Sequence, residues 1–283
     1  MPSEIALAPG DVMSPSYFAL AAVLAPLDKL CVAFSGGVDS TLLLAVAVRE
    51  LGADRVLAFT AVSETYRDEE LAAARSLAAS IGAEHVVAHT IELADDCFTS
   101  NSRQRCYYCK REMVGKMRVA AAASGIDVLA DGANRDDLGD ERPGLTAAAE
   151  AGVRHPLIEA GLGKTAVREL SRALGLPTWD KPQQACLASR VPYGSPITIE
   201  KLHQIAAAES VLRELGFGQC RVRHHGDVAR VEVEAVDIAR AGGAVRTELA
   251  RRLHELGFTY VTLDMDGFRS GSMNEVPMNE ASS

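Results

Sequence analysis

Residues 30–44 read LCVAFSGGVDSTLLL: an apolar run, a loop with two adjacent glycines, and the opening of an apolar helix. A strand that runs directly into a glycine turn and a helix presents backbone N–H groups at the carboxyl edge of a parallel sheet, where anionic ligands bind. Gly36 and Gly37 permit the tight turn, and Ser35, Ser40 and Thr41 add hydroxyl donors, so SGGVDS reads as a phosphate cradle. The spacing and the missing lysine exclude GxxxxGK[ST], and GxGxxG is absent. The alternative is a plain glycine turn in which Asp39 is only a first-turn helix charge.

Outward from this loop, short apolar runs alternate with amphipathic helical patterns, the signature of βαβ units. Strands are predicted over 30–35, 55–60, 85–90, 127–131 and 154–158, with helices over 40–51, 68–81, 113–124 and 164–174. The pattern breaks at Pro177, and PTWDKPQQACLASRVPYGSP is a long loop of the kind that usually has a task. Beyond it a helix (199–215), two strands (220–224 and 228–234), a helix (245–256) and a last strand (259–264) suggest a small antiparallel α+β layer. The expected fold class is therefore α/β, a parallel-sheet domain over 14–178, a linker carrying site residues over 179–197, a smaller α+β domain over 198–269, and a flexible polar tail over 270–283.

Composition narrows the function. Of 283 residues, 29 are Lys or Arg and 38 are Asp or Glu, a net charge of -9, the wrong sign for a broad nucleic-acid-binding surface. An anionic small molecule must therefore meet a local basic site. No apolar run approaches the roughly 20 residues that span a bilayer. Six cysteines without a basic-then-apolar leader lead us to expect a reducing cytoplasm rather than a disulfide framework.

The cysteines divide. Cys31 begins an apolar strand, Cys97 stands alone beside Phe98 and Cys220 begins a strand of the second layer, and each reads as a packed side chain. Cys106 and Cys109 form RCYYCK, which fits a redox pair, half of a zinc site, or part of an iron–sulfur site. The thioredoxin position after the first strand is taken by the glycine loop, and no second C-x-x-C or close His pair completes a zinc site. Cys186, in QACLASR, is flanked by Lys181, Ser189 and Arg190, whose charges and donors favour a nucleophilic thiolate. Arg221, Arg223 and His225 share one face of a strand by period-two alternation; the group reads either as a solvated face or as an anion site.

SGGVDS behind a strand resembles the PP-loop of the ATP pyrophosphatase superfamily, the adenine nucleotide alpha hydrolase-like enzymes that activate a carboxylate or carbonyl by adenylylation. By that resemblance Ser35, Gly36, Gly37, Asp39 and Ser40 hold the ATP phosphates with Mg²⁺, and Asp131, Gly132, Asn134 and Asp137 in DGANRDDLGD reach the same sheet edge toward nucleotide or substrate. The ordered set SGGVDS, RCYYCK, DGANRDDLGDERPG, KPQQACLASRVPYG, RVRHHGDVARVEV and GFTYVTLDMDGFRSGSMNE is similar to the LarE family, over nearly the whole chain after about residue 15.

That resemblance implies an ATP-dependent sulfurtransferase that adenylylates a carboxylate of pyridinium-3,5-biscarboxylic acid mononucleotide. AMP is then displaced by sulfur to give a thiocarboxylate for the nickel-pincer cofactor of lactate racemase. It implies a homo-oligomer, a hexamer, that binds this small molecule and neither nucleic acid nor membrane, and it leaves the sulfide donor open. Two sulfur sources occur in the family: a sacrificial loop cysteine, here Cys186, or a [4Fe–4S] cluster, to which Cys106, Cys109 and Cys186 correspond. Three thiolates leave the fourth iron open for a sulfide, and the chain's three site cysteines match this pattern. Ser189, Arg190, Arg221 and Arg223 become the substrate-phosphate site, with Glu209 and Asp227 as candidate divalent-metal or substrate ligands. The rivals are a PP-loop tRNA thiolation enzyme, disfavoured by the acidic charge, an amidating enzyme that needs no site cysteines, and a non-catalytic carrier that leaves the Cys186 loop without a use.

Overall fold

The computed structural model describes residues 14–63, 68–139, 142–182 and 185–269. The expected tail over 270–283 lies outside the described residues. The chain divides into two units, Met1–Phe98 with Arg103–Gln184, and Thr99–Ser102 with Ala185–Ser283.

The first unit runs α1 (Pro15–Leu24), β1 (Leu30–Ala33), α2 (Val38–Leu51), β2 (Val56–Val62), α3 (Asp68–Ile81), β3 (Glu84–His89), α4 (Asp96–Thr99), α5 (Arg105–Ala123), β4 (Leu129–Ala130), α6 (Pro143–Glu150), α7 (Pro156–Glu159) and α8 (Lys164–Ala173). Its sheet has the order β3-β2-β1-β4 with every pairing parallel. Strand alternation sorts the side chains between two cores. Leu30, Val32, Val56 and Ala58 join α1, α2 and α8 on one face, whereas Cys31, Leu57 and Phe59 meet Val114, Met117 and Ala121 of α5 on the other. Helices therefore cover both faces, as expected of a parallel sheet whose central strands β1 and β2 are largely apolar. α2 buries an unbroken run from Ser40 to Ala47, which fixes the loop before it.

Two expectations change here. The fifth strand is reduced to a single bridge between Ala130 and Arg154, because Pro156, which has no N–H to give a ladder, opens the short helix α7 instead. The helix expected from 113 begins at Arg105, so RCYYCK is its first turns rather than a loop. The polar residues of RCYYCKRE masked the helical period.

The second unit runs α9 (Ile199–Glu214), β5 (Cys220–His225), β6 (Val228–Val233), α10 (Ile238–Gly242), α11 (Arg246–Glu255) and β7 (Tyr260–Leu263). β5 and β6 pair antiparallel, but β6 and β7 pair parallel, so the sheet is mixed rather than antiparallel. The two helices between β6 and β7 make a crossover, and a crossover returns the chain in the same direction. Val222, Ala229, Val231 and Val233 face α9 and α11 in the core of this unit. The opposite sheet face carries Arg221, Arg223 and Glu232, all buried.

Candidate functional site

The glycine loop has the shape the sequence demands. Gly36 takes φ +68°, and a Cβ on it would lie 3.3 Å from the Ala74 Cβ of α3. Gly37 is the N-cap of α2. The Ser35 hydroxyl accepts from Gly37 N at 3.3 Å and lies 3.2 Å from the Ser40 hydroxyl, which donates to Gly37 O, so the loop is held from within. Thr41 is fully buried, and its Oγ1 has no hydrogen-bond partner among the described residues. Lys181 reaches the loop from the far end of this unit, donating to Gly36 O at 3.1 Å and pairing with Glu70 at 2.7 Å. The lysine expected to act on Cys186 is thus bonded to the glycine loop.

The loop after β4 closes on the same edge. A Cβ on Gly132 would stand 2.8 Å from Ser40 N, so only glycine lets the two loops meet backbone to backbone. Asn134 Nδ2 donates to Asp39 Oδ1 at 2.9 Å, and Asp137 accepts from Asn134 N and pairs with Arg142 at 2.7 Å. Burial pushes the Asp39 carboxyl above its usual range despite the Asn134 hydrogen bond, and the nearby Asp137 adds to the shift. A carboxylate held this way gains from a cation brought with a ligand. Asp136 accepts from Lys164 N and caps α8.

Asp131 lies immediately past β4. Its Oδ2 receives Lys110 Nζ at 2.6 Å and its Oδ1 is 2.7 Å from His155 Nδ1. Burial pushes this carboxyl up, but Lys110 and His155 outweigh burial and hold it well below the ordinary carboxylate range. Lys110 directly follows Cys109 on α5. The C-x-x-C helix and the glycine loop are therefore tied to one sheet edge, through Lys110–Asp131 and through Gly132 against Ser40. Cys109 is half-buried and its Sγ donates to Glu92 Oε1 at 3.5 Å, while Cys106 is exposed. Sequence reading missed Glu92, Lys110 and His155. The signal available was an aspartate at the end of a buried strand, which requires a cation.

In the second unit Cys186 is exposed at the head of a 3-10 turn, Leu187–Arg190. Arg190 Nη1 donates to the carbonyls of Ala185 and Cys186 at 2.7 and 3.1 Å, and its Nε and Nη2 grip both oxygens of buried Glu209. Arg223 forks onto Glu232 at 3.0 and 2.9 Å and donates to Ser189 O. Glu209, expected as a metal ligand, is thus the partner of Arg190 and also accepts from Val222 N. Arg221 differs. It is 7% exposed, lies 4.6 Å from the Phe268 ring centroid, and pairs with no carboxylate among the described residues. Burial, with repulsion from Arg190 and Arg223, brings its guanidinium down to about 10. The segment after Cys186 is anchored by Asn101, buried at φ 57°, whose Nδ2 donates to the carbonyls of Val191, Pro192 and Ser195.

None of the six cysteines is in a disulfide. Burial pushes Cys31 up to about 12 and makes it inert, and Cys220 packs at the edge of the second core. Cys97, expected to be packed, is exposed, because the short α4 buries Phe98 instead. Among the described residues no group of three or more His, Cys, Asp or Glu side chains is gathered for a metal ion, and no helix is long and apolar enough to cross a membrane.

A parallel sheet with this loop behind its first strand defines an ATP-using enzyme of the PP-loop class, and the asparagine synthase family matches residues 21–166. The chain is 44% identical over 259 residues to the pyridinium-3,5-bisthiocarboxylic acid mononucleotide synthase of Lactiplantibacillus plantarum, covering 90% of this chain and 92% of that one. It belongs to the family of that synthase, the LarE family. An uncharacterised protein of Synechocystis is 46% identical over 251 residues, 88% of this chain and 93% of its own, and one of Methanocaldococcus jannaschii is 28% identical over 244 residues, 86% and 91%.

Proposed function

We propose that this enzyme adenylylates a carboxylate of pyridinium-3,5-biscarboxylic acid mononucleotide with ATP and replaces AMP by sulfur, giving the thiocarboxylate used in nickel-pincer cofactor biosynthesis. The observation that carries this reading is the shared sheet edge of the glycine loop and the C-x-x-C helix, in a chain 44% identical to a synthase named for such a product. Ser35, Gly36, Gly37 and Ser40, at the N-terminus of α2, hold the phosphates that leave as pyrophosphate. Asp39, kept in place by Asn134 and close in charge to Asp137, faces Mg²⁺ carried by the nucleotide. Arg221, the buried guanidinium that forms no ion pair among the described residues, takes the substrate phosphate, and Ser189, Arg190 and Arg223 shape its surroundings.

Cys106, Cys109 and Cys186 fit a [4Fe–4S] cluster by the chemistry of their donors: three thiols in no disulfide, each at least partly accessible, in contrast to inert Cys31. Such a cluster, when bound, supplies an open iron that carries sulfide. The enzyme then turns over, where a sacrificial Cys186 would act once. It works in the cytoplasm as a homo-oligomer, a hexamer.

One anaerobic experiment tests the reading. Protein reconstituted with iron and sulfide is given ATP, Mg²⁺ and the dicarboxylate mononucleotide. More than one equivalent of thiocarboxylate per subunit is expected, with Cys186 intact by mass spectrometry and with absorption near roughly 400 nm that Cys106→Ser and Cys109→Ser abolish. A single turnover that leaves the protein lighter by the mass of H₂S refutes the cluster route. No adenylylation of the dicarboxylate refutes the substrate.

A further inference from the structure

His155 Nε2 is buried and has no hydrogen-bond partner among the described residues, although Nδ1 of the same ring lies 2.7 Å from Asp131 Oδ1. A buried polar atom left alone while its ring is otherwise fixed points to a partner that arrives with a ligand or water. The other charged groups around the ring are accounted for. Lys110 is on Asp131 Oδ2, and Glu159 accepts from His155 N at 3.3 Å while it pairs with Arg154. Asp131 is held ionised by Lys110 and His155 against its burial, so it accepts the Nδ1 proton and Nε2 is the ring nitrogen left to meet a ligand. A carboxylate that fixes one imidazole nitrogen and leaves the other as an acceptor is the arrangement of a general base.

The position matches that use. Asp131 precedes Gly132, which lies against Ser40 N of the phosphate loop, and Lys110 follows Cys109. The dyad thus belongs to the network that joins the adenylylation loop to the helix with the C-x-x-C.

We propose that His155 is the base of the sulfur-transfer half-reaction, with Asp131 as its positioning residue; the inference rests on the function proposed above. The sulfur nucleophile is a thiol or hydrosulfide. As its sulfur bonds to the acyl-adenylate carbonyl carbon, the S–H proton passes to Nε2, and the acyl C–O bond breaks with its electron pair leaving on AMP. The first half-reaction has an ionised carboxylate as nucleophile and requires no base, so the two halves respond differently to loss of the imidazole.

The test compares the wild type, His155→Gln and His155→Ala, each supplied with ATP, Mg²⁺, the dicarboxylate mononucleotide and sodium sulfide. Acyl-adenylate is trapped as hydroxamate with hydroxylamine, and thiocarboxylate is read by mass spectrometry. Hydroxamate is expected to stay within about twofold while thiocarboxylate falls about 100-fold, the usual contribution of a general base. Added imidazole is expected to restore His155→Ala. In the wild type, D₂O is expected to slow thiocarboxylate formation and leave hydroxamate formation unchanged, a measurement that holds even if both substitutions unfold the chain. Unchanged thiocarboxylate in His155→Gln, a proportional fall in both products, or the lack of a solvent isotope effect overturns the inference alone. A wild type that forms neither product overturns the functional reading and the inference with it.

Discussion

Cys186→Ser is expected to stop thiocarboxylate formation, by at least about 10³-fold as for a lost nucleophile, while pyrophosphate release continues. The asymmetry follows from the architecture. The phosphate cradle is built within the first unit from Ser35, Gly36, Gly37 and Ser40, with Lys181 on Gly36 O, and none of these contacts involves Cys186. Cys186 offers its thiol from the head of a 3-10 turn whose carbonyls Arg190 holds, so the oxygen-for-sulfur exchange leaves the backbone as it was. Both sulfur routes require the sulfur atom: as a cluster ligand or as the atom given up. Pyrophosphate and thiocarboxylate are measured on the same sample. Thiocarboxylate at the wild-type rate removes Cys186 from the chemistry, and a parallel loss of pyrophosphate shows that the residue serves folding or ATP binding.

Glu232→Ala is expected to cost about 3–5 kcal/mol of stability, because it leaves buried guanidinium charge without its partner. Glu232 is fully buried and accepts from Arg223 Nε and Nη2 and from Arg230 Nη2 at 3.0 Å. Replacing the two fully buried members, as Arg223→Met with Glu232→Leu, is expected to recover most of the loss, since a well-packed apolar pair needs no desolvation of charge and the partly exposed Arg230 keeps Asp264. Urea midpoints for the single and double replacements decide the matter. A single-variant loss below about 1 kcal/mol, the range of exposed pairs, would show that water reaches the site.

How much of this was legible in the sequence depends on how local each cause is. The glycine loop was legible because its reasons are neighbours in the chain: an apolar run, two glycines, two serines and a helix. The α/β order was legible for the same reason, and so was the resemblance that the family comparison bears out. The lost fifth strand was decided by one residue, Pro156, against an apolar pattern that suited either element. The start of α5 was hidden because Arg105, Cys106, Tyr107 and Tyr108 have no simple amphipathic period. The arginines were found by alternation, but their occupations were not. The partners of Arg190 and Arg223 lie 19 and 9 residues away, and only the fold brings them together. His155 was overlooked for the same reason. Nothing near it in sequence announces Asp131, 24 residues earlier.

The pairing of these arginines also governs how an anionic molecule approaches. Each Arg–Glu couple is electrically neutral from outside, so neither buried arginine presents a positive field to set against the acidic residues that give the whole chain its -9. A nucleotide bearing phosphate and carboxylates travels against the protein's mean field and meets Arg221 only on arrival. Salt then acts in the reverse of the usual sense. Ions that shorten the screening length from about 30 Å at 0.01 M to about 8 Å at 0.15 M mask the repulsive exterior, so capture of the substrate quickens over that range where steered association would slow.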